Sequence, residues 1–569
     1  MLNRKVANIL FEIADLLELK EENFKPQAYR KVARAVEDLQ EDIEAIAKRG
    51  GLRTIPGVGE AIEAKIKEII QTGELQYLNE IMMEYPAGLM QVMEVPEIGP
   101  KTAIRLYKEL KITNLDDLRK AAEEHRLQHL KGFGEKTEES ILKGIQSLER
   151  IKGRMLLGYA HPIAVGMVAY LRERGGLRMV EYAGSLRRMR ETIGDIDILV
   201  GTDDAGKATE TFLSYPEVEV VVAKGPTRST VRLRIGVQVD LRVVPVSSYG
   251  AALLYFTGSK EHNIKLRTIA ADRGMKLNEY GLLRKDGTLM ASATESDIYA
   301  ALSMDTIPPE MREDNGEVPL AQQHDLPELI ELRDIKGDLH IHTIASDGAD
   351  RMEDMARAAM RKGYEYIGIS DHSEKLKVAS GLSLERLRQN MAEARRLSEL
   401  LSPFRVLIGA EVEIDERGGL DYPPGVLKEL DYVIGAVHSR FKMEEKDMTE
   451  RIITAISNEE LDILAHPSGR LIGLREAYAV DMAKVMETAK AQHVALEVNS
   501  FPDRLDLNSA HCRMARDQGN IVVINTDSHS EAHLENIIYG VSTARRGWVG
   551  PEMVLNTRSL KDVTAFFGA

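Results

Sequence analysis

Cysteine is nearly absent from this 569-residue chain. The single Cys512 has no partner for an internal disulfide and supplies too few thiolates for a Cys-rich zinc site, which fits a reducing cytoplasm. Long apolar runs are absent too. No stretch approaches roughly 18 consecutive apolar residues, and the N-terminus reads as an amphipathic helix instead of a basic, apolar, cleavable leader, so membrane and secreted readings fall away. Nor is there the composition of a disordered chain: 43% hydrophobic and 29% charged residues leave ample apolar surface for several cores. At about 150 residues per domain, the length suggests about four units.

Positive charge is also in short supply, with a formal net charge of -15, but the deficit is uneven. Residues 1–320 hold 45 Lys and Arg against 49 Asp and Glu, whereas residues 321–569 hold 30 against 41. Histidine divides more sharply, 4 of 14 before residue 321 and 10 after it. Two parts with different chemistry are implied. Overall acidity does not exclude DNA, because local Lys/Arg surface and backbone amides set phosphate affinity.

Apolar spacing is helical from residue 1 to about 150. Three turns within that region look alike: Ile55-Pro-Gly57-Val-Gly59, Val95-Pro-Glu97-Ile-Gly99 and Leu130-Lys-Gly-Phe-Gly134. Residues 155–310 then alternate strand-like and helical runs, and a stretch with four prolines from Ile307 to Pro327 reads as a linker. The expected domains are 1–80, 81–150, 151–245 and 246–315, a linker over 316–335, and a last domain over 336–569.

Beyond the linker come seven short apolar runs, 336–343, 366–370, 405–414, 432–437, 462–465, 494–499 and 521–525, separated by helical spacers. This is the pattern of a β/α barrel, whose reactive groups sit at the C-terminal ends of its strands. Ligand-type side chains gather there. His340 and His342 share one face of the first strand, with Asp347 close behind. His372 ends the second run, Glu411 lies in the third, His438 and His466 end the fourth and fifth, and Asp527 and His529 follow the seventh. His493 and His511, which stand apart, read as structural. Nine nitrogen and oxygen ligands without thiolate suit two or three Mn²⁺, Zn²⁺ or Fe²⁺ ions and phosphoester hydrolysis.

The motifs Asp338-Leu-His-Ile-His342-Thr, Ile369-Ser-Asp-His372-Ser, Ala436-Val-His438-Ser-Arg and Leu464-Ala-His466-Pro resemble the PHP (polymerase and histidinol phosphatase) domain over about 230 residues. The resemblance implies a distorted seven-stranded barrel with three metals, Mn²⁺ or Zn²⁺. By its pattern His340, His342, Glu411 and Asp527 hold one ion, Asp347, His372 and His529 a second, and Glu411, His438 and His466 a third.

In the central region Gly184-Ser185-Leu-Arg-Arg188 precedes Gly194-Asp195-Ile-Asp197, and Asp240 stands in a later strand. Asp195 and Asp197, two apart on a strand, share a face; a third carboxylate from a neighbouring strand completes a set able to hold two Mg²⁺ or Mn²⁺ ions about 4 Å apart for phosphoryl transfer. The Gly-Ser turn offers amides and a hydroxyl to phosphate, with Arg187 and Arg188 supplying charge. The combination resembles the nucleotidyltransferase palm of the DNA polymerase beta superfamily, and Tyr255-Phe256-Thr-Gly258-Ser-Lys-Glu-His-Asn263-Ile-Lys265-Leu-Arg267 narrows it to family X DNA polymerases. The resemblance implies Ser185 and Arg188 on the β and γ phosphates, with Gly184 and Gly194 in the same nucleotide site. It puts Tyr255, Phe256 and Gly258 at the sugar, Asn263 at the base edge, and Lys265 and Arg267 on DNA. Gln238 stands where that pattern has an arginine, and Ile193 where it has a serine.

The three Gly-containing turns fit helix-hairpin-helix elements, whose backbone amides grip a DNA phosphate without reading bases. Gly57, Gly59, Gly99 and Gly134 are the candidate contacts. Residues 1–80 resemble the lyase domain of polymerase beta, with Lys25, Tyr29 and Lys65 at its 5′-phosphate and Schiff-base positions. Ala61 replaces a lysine there, and Glu60 and Glu63 oppose the depressed amine pKa that Schiff-base chemistry needs, so gap binding is expected and lyase chemistry is not. As a whole the chain resembles a bacterial or archaeal family X DNA polymerase with a C-terminal PHP domain. That implies a monomeric, cytoplasmic repair enzyme acting on gapped or nicked DNA with a 5′-phosphate and on dNTPs, with 3′-5′ exonuclease or abasic-site cleavage in the barrel. A fused small-molecule phosphatase and a non-catalytic gap-binding scaffold are the rival readings.

Overall fold

The computed structural model describes residues 154–568 and most of residues 2–145, leaving out 20, 21, 23, 24, 38, 40–42, 73, 74, 79–85, 87, 94, 96, 97, 99, 131, 132, 135, 136, 139, 140 and 143. It divides into two compact units, Met1–Lys152 with Gly473–Glu476, and Gly153–Ile472 with Ala477–Ala569. Among the described residues no helix is long and apolar enough to cross a membrane.

The first unit is helical, as its apolar spacing predicts. In the helix Leu2–Leu19, Val6, Leu10, Ile13 and Leu17 recur at intervals of three and four and are buried with Val32 and Val36 of the helix Lys25–Glu37. The three related turns share a hydrogen-bond ladder. Ile55 N donates to Leu52 O and Val58 N to Ile55 O; Val95 N to Val92 O and Ile98 N to Val95 O; Leu130 N to Leu127 O and Phe133 N to Leu130 O. Their apolar residues, three apart, stack into one core, so the repeat is structural.

The second unit opens with β1 (Met155–Leu156), β2 (Met179–Tyr182), β3 (Thr192–Ile193), β4 (Ile196–Gly201), β5 (Val218–Ala223), β6 (Arg228–Leu233) and β7 (Gln238–Val244). The main sheet has the order β2-β4-β7-β6-β5, with β4 and β7 parallel and the other pairs antiparallel. A smaller α+β part follows, with the antiparallel β8 (Met275–Asn278), β9 (Gly281–Arg284) and β10 (Leu289–Ala291), and the helices Tyr249–Thr257, Lys260–Asp272 and Glu295–Ala301.

The strands β11 (Gly337–Ile341), β12 (Tyr366–Ile369), β13 (Arg405–Ile408), β14 (Glu411–Glu413), β15 (Ile434–Ala436), β16 (Ile463–Leu464), β17 (Ala495–Asn499) and β18 (Val522–Asn525) form the barrel, one for each expected run except the third, which splits into β13 and β14. Every pairing is parallel. The ring closes where Ile341 bridges Ser528, with His342 N donating to Ser528 O at 2.8 Å and Ser528 N to His340 O at 3.2 Å. All these strands are buried apart from Arg405, as strands covered on both faces are.

The stretch 316–335, expected as a linker, is built into this unit. Its helix Glu317–Gln323 buries Val318 and Ala321, and Glu317, fully buried, lies 2.7 Å from His262 Nδ1 and accepts from the amides of Asp314 and Asn315. Proline content misled here because Pro319 sits within the first turn of a helix, where its missing N–H costs nothing. The sheet and the barrel also share a core: Leu505 and Tyr539 of the barrel pack with Leu157, Val180 and Ile193. Gly158 permits the approach, since a Cβ there would lie 2.4 Å from Pro502.

Candidate active sites and metal centres

Strand register assembles the first site. Asp197 on β4 stands directly beside Asp240 on β7, and Asp195 precedes β4, so ligand atoms of all three lie within 4.8 Å of one another. Burial, then the charges of Asp195 and Asp240, push the Asp197 carboxyl up to about 6, against the pull of Arg242 and Arg228. Three carboxylates this close are able to hold a cation, and their donor set is that of a hard divalent ion. Asp240, 4% exposed, accepts from Thr230 Oγ1 at 2.6 Å and from Arg228 Nη2 at 3.1 Å. Arg228 and Thr230 escaped the sequence reading; they alternate along β6, and only its pairing with β7 brings them to Asp240. Arg228 reaches the carboxylate that Gln238 approaches at 3.5 Å.

The Gly-Ser turn lies against this site. Gly184 has φ +62°, and a Cβ there would meet Asp197 Oδ2 at 2.6 Å, so both the backbone and the space require glycine. Ser185 follows in the short helix Gly184–Arg187, and Gly194 is exposed just before Asp195. Arg188 is engaged by protein groups, donating from Nη1 to Thr257 O at 2.5 Å and from Nε to Glu313 Oε1 at 3.2 Å. Tyr255 and Phe256 meet edge to face at 5.2 Å, and the Arg242 guanidinium lies 5.1 Å from the Phe256 ring. Gly258, at φ +72°, turns the chain where a Cβ would lie 2.9 Å from Arg188 Nη1. Asn263 Nδ2 donates to Tyr255 O at 2.7 Å, a contact that fixes the turn, while Lys265 and Arg267 are exposed on the same helix.

Arg187 is structural rather than free for phosphate. It donates to both oxygens of Glu295, at 2.9 and 2.7 Å, and to Thr257 Oγ1 at 2.7 Å, while the fully buried Arg312 also pairs with Glu295. Burial alone would raise the Glu295 carboxyl; the charges of Arg312 and Arg187 outweigh it and hold it at about 2, below its ordinary 4.5. A carboxyl depressed in the folded state contributes stability that is fully present above pH 4.5 and is lost as pH falls from there towards 2. The shift corresponds to roughly 3 kcal/mol. Glu295→Gln is therefore expected to flatten the pH dependence of unfolding free energy in that window, measured by denaturant titration against the parent chain.

The barrel mouth holds the second site. Glu411 is its hub: Oε2 lies 2.8 Å from His372 Nδ1, 3.5 Å from His340 Nε2 and 3.6 Å from His342 Nε2, and Oε1 lies 3.2 Å from His438 Nε2 and 2.9 Å from His466 Nε2. Asp527 Oδ1 is 3.2 Å from His342 Nε2, and Asp347 Oδ2 is 3.6 Å from His372 and 3.5 Å from His529. All nine expected ligands converge. Their grouping differs in part from the expected one: His342 joins Asp347, His372 and His529; His340, His342 and Asp527 form a second set; His372, Glu411 and His438 form a third. His466 Nε2 lies 2.9 Å from Glu411 Oε1, as a donor to that carboxylate, instead of entering these sets.

These residues fit divalent metal. Buried His340 Nε2, both ring nitrogens of His342, His372 Nδ1, His466 Nδ1 and Glu411 Oε2 make no hydrogen bond, a concentration that native interiors avoid unless another partner is intended. Burial, then His372 and His529, push His342 down to about 3, which keeps its lone pair available. Burial opposes charge on His372, but Glu411 and Asp347 outweigh it and raise that group to about 10: the carboxylates call for positive charge at this spot.

Three carboxylates behind the ligands orient them. Glu497 Oε1 lies 2.7 Å from His340 Nδ1 and Glu413 Oε2 3.0 Å from His438 Nδ1, fixing the tautomers that aim the other nitrogens inward. Asp371 accepts from Thr343 N, Thr343 Oγ1, Ser346 Oγ and Asn390 Nδ2, tying down the loop that carries Asp347. These were missed in sequence, although Glu413 stands two residues from Glu411 and Glu497 interrupts an apolar run.

In the helical unit, Gly57 takes φ +88°, and Gly59 ends its turn one residue before the helix Glu60–Thr72. The first amides of that helix lack partners within it, which is the donor arrangement a phosphate needs. Gly134 is exposed in the third turn; Gly99 lies outside the described residues. Lys25 is exposed and 3.2 Å from Glu22, whereas Tyr29 is a core residue, 7% exposed. The Lys65 ammonium lies 4.6 Å from the centre of the Tyr77 ring, and Glu63 pairs with Arg53 and Lys67.

Family models match along the chain: a helix-hairpin-helix domain over residues 1–75, a SAM-like helix-hairpin-helix tandem over 90–147, a DNA polymerase beta thumb over 252–313 and a PHP domain over 338–501. Helical hairpins, a polymerase-type α/β region and a histidine-rich barrel thus define a polymerase of the beta superfamily joined to a PHP domain. The DNA polymerase/3′-5′ exonuclease PolX of Bacillus subtilis (strain 168) is 40% identical over 570 residues, covering 100% of this chain and 99% of that protein. The chain belongs to the PolX family. The barrel alone is also similar to proteins named probable phosphatase from Thermoanaerobacter sp. (strain X514), 30% identical over 39% of this chain and 89% of that protein, and from Acetivibrio thermocellus, 33% identical over 34% and 78%.

Proposed function

We propose that this chain is a DNA-directed DNA polymerase that fills short gaps during repair, with 3′-5′ exonuclease activity in its barrel. The observation that carries the reading is the register of Asp197 with Asp240 beside the Gly184 turn, which sets three carboxylates against a phosphate-binding backbone. Mg²⁺ or Mn²⁺ at the aspartates, and two or three Mn²⁺ or Zn²⁺ ions in the barrel, would neutralise phosphate charge and lower the pKa of the attacking oxygen when bound. Around the aspartates, Thr230 and Arg228 hold Asp240 in one orientation directly beside Asp197. The Gly184-Ser185 amides and hydroxyl receive the triphosphate with Arg188, and Tyr255 and Phe256 pack beside the sugar. The hairpin amides at Gly57, Gly59, Gly99 and Gly134, with Lys25, Lys65, Lys265 and Arg267, hold gapped duplex through its phosphates. In the barrel, Glu497 and Glu413 hold protons on the outer nitrogens of His340 and His438, leaving their inner nitrogens as ligands. Abasic-site cleavage suits the same groups, since it breaks the same bond type. The setting proposed is a monomer in the cytoplasm, in keeping with a lone, buried Cys512.

The barrel's likeness to proteins named phosphatase favours one alternative, a barrel acting on small phosphomonoesters. One assay separates the readings: a labelled primer on a one-nucleotide gap with a 5′-phosphate, incubated in Mn²⁺ with and without dNTPs. Growth with dNTPs and shortening without them is the expected result. Growth alone, with release of phosphate from a free monoester, would assign the barrel to the alternative, and no growth would remove the polymerase reading.

A further inference from the structure

Arg188 ends the Gly-Ser turn, and its Glu313 partner is shared. The same Glu313 Oε1 lies 3.2 Å from Arg188 Nε, 3.5 Å from Arg190 Nη1 and 3.0 Å from Arg546 Nη2. Arg546 Nη1 also donates to the main-chain oxygen of Arg188 at 2.6 Å. Arg546 is the last residue of the helix Ile537–Arg546, which packs on β17 and β18, so it is a barrel residue that reaches the nucleotide turn of the palm. The side chains of Arg188, Glu313 and Arg546 are only 13, 14 and 10% exposed.

A carboxylate on a guanidinium in so dry a place competes directly with any phosphate that approaches the same guanidinium. While Arg546 donates to that oxygen, Glu313 divides its attraction among three cations. Without Arg546, its whole demand falls on Arg188 and Arg190, and the Arg188 backbone loses the donor that fixes it. We infer that Arg546 is a positioning residue for nucleotide addition: it neutralises Glu313 and pins the turn, so that Arg188 is available to the incoming triphosphate. The inference rests on the reading of Arg188 as a phosphate ligand. Its effect belongs to nucleotide binding more than to the chemical step, and so to KM more than kcat.

The test is single-nucleotide gap filling by the full chain, with KM for dNTP and kcat measured for Arg546→Gln, Glu313→Gln, the double variant and Arg188→Ala. Arg546→Gln should raise KM about tenfold while kcat moves less than about threefold. Adding Glu313→Gln removes the competing charge and should return KM to within about threefold of the parent value. Shortening of single-stranded primer by the barrel, whose ligands do not include Arg546, should be unchanged and shows that the variant is folded. An unchanged KM in Arg546→Gln, or a double variant no better than Arg546→Gln alone, would overturn the inference. If Arg188→Ala leaves KM unchanged, the phosphate reading of Arg188 fails instead, and the inference with it.

Discussion

Replacing Asp240 by alanine is expected to lower gap filling by about a thousandfold, the scale of losing one preorganised electrostatic group at a phosphoryl-transfer centre. Asp240 is the most buried of the three aspartates and the only one held by two neighbours on another strand, Thr230 and Arg228. Its loss removes one of three ligands and leaves the Arg228 cation facing the site, where it repels the ions the remaining carboxylates would hold. Asp240→Asn keeps the shape and the Thr230 contact and should be nearly as inactive, which separates loss of charge from loss of packing. Shortening of the primer in the absence of dNTPs should persist in both variants. Extension surviving in Asp240→Ala would mean that nucleotidyl transfer takes place elsewhere.

The mirror experiment is Glu411→Gln. One carboxylate faces five imidazoles within 3.6 Å, and the isosteric amide offers neither the charge nor the second acceptor that this arrangement uses. Shortening should fall by about a thousandfold or more, and binding of added Mn²⁺ by the chain should fall with it, while gap filling stays near the parent rate. Glu413→Gln and Glu497→Gln, which act through His438 and His340, should cost less, about 10- to 100-fold. Full shortening activity in Glu411→Gln would move the hydrolytic centre away from the barrel mouth.

The barrel was legible in advance because its ligands sit at the ends of short apolar runs, and strand alternation shows which side each faces. His340 and His342 could be placed on one side of β11 from their spacing alone. The grouping of those ligands could not, because it depends on side-chain angles at the ends of six strands: His342 lies close enough to two sets to belong to both. The palm was legible in its aspartates and its Gly-Ser turn. The role of Arg187 was not, since Glu295 lies 108 residues away and nothing local marks it as a partner. The linker expectation failed for a related reason: prolines among few apolar residues suggested a linker, but Glu317 is buried by pairing with His262, a contact across 55 residues.

By itself, the sequence determined the order of the parts, the helical hairpins with their repeated turn, and which ligand-type side chains gather into clusters able to hold metal. Each of these follows from local periodicity or from residue chemistry at short spacing. Tertiary structure alone decided which strands stand side by side, and hence that Thr230 and Arg228 serve Asp240. It also decided that sheet and barrel share one core, and that Arg546 reaches back to Arg188. The first of these depends on the register of β6 against β7, and the other two on packing between segments hundreds of residues apart, where burial makes a single contact strong and nothing in the local sequence announces it.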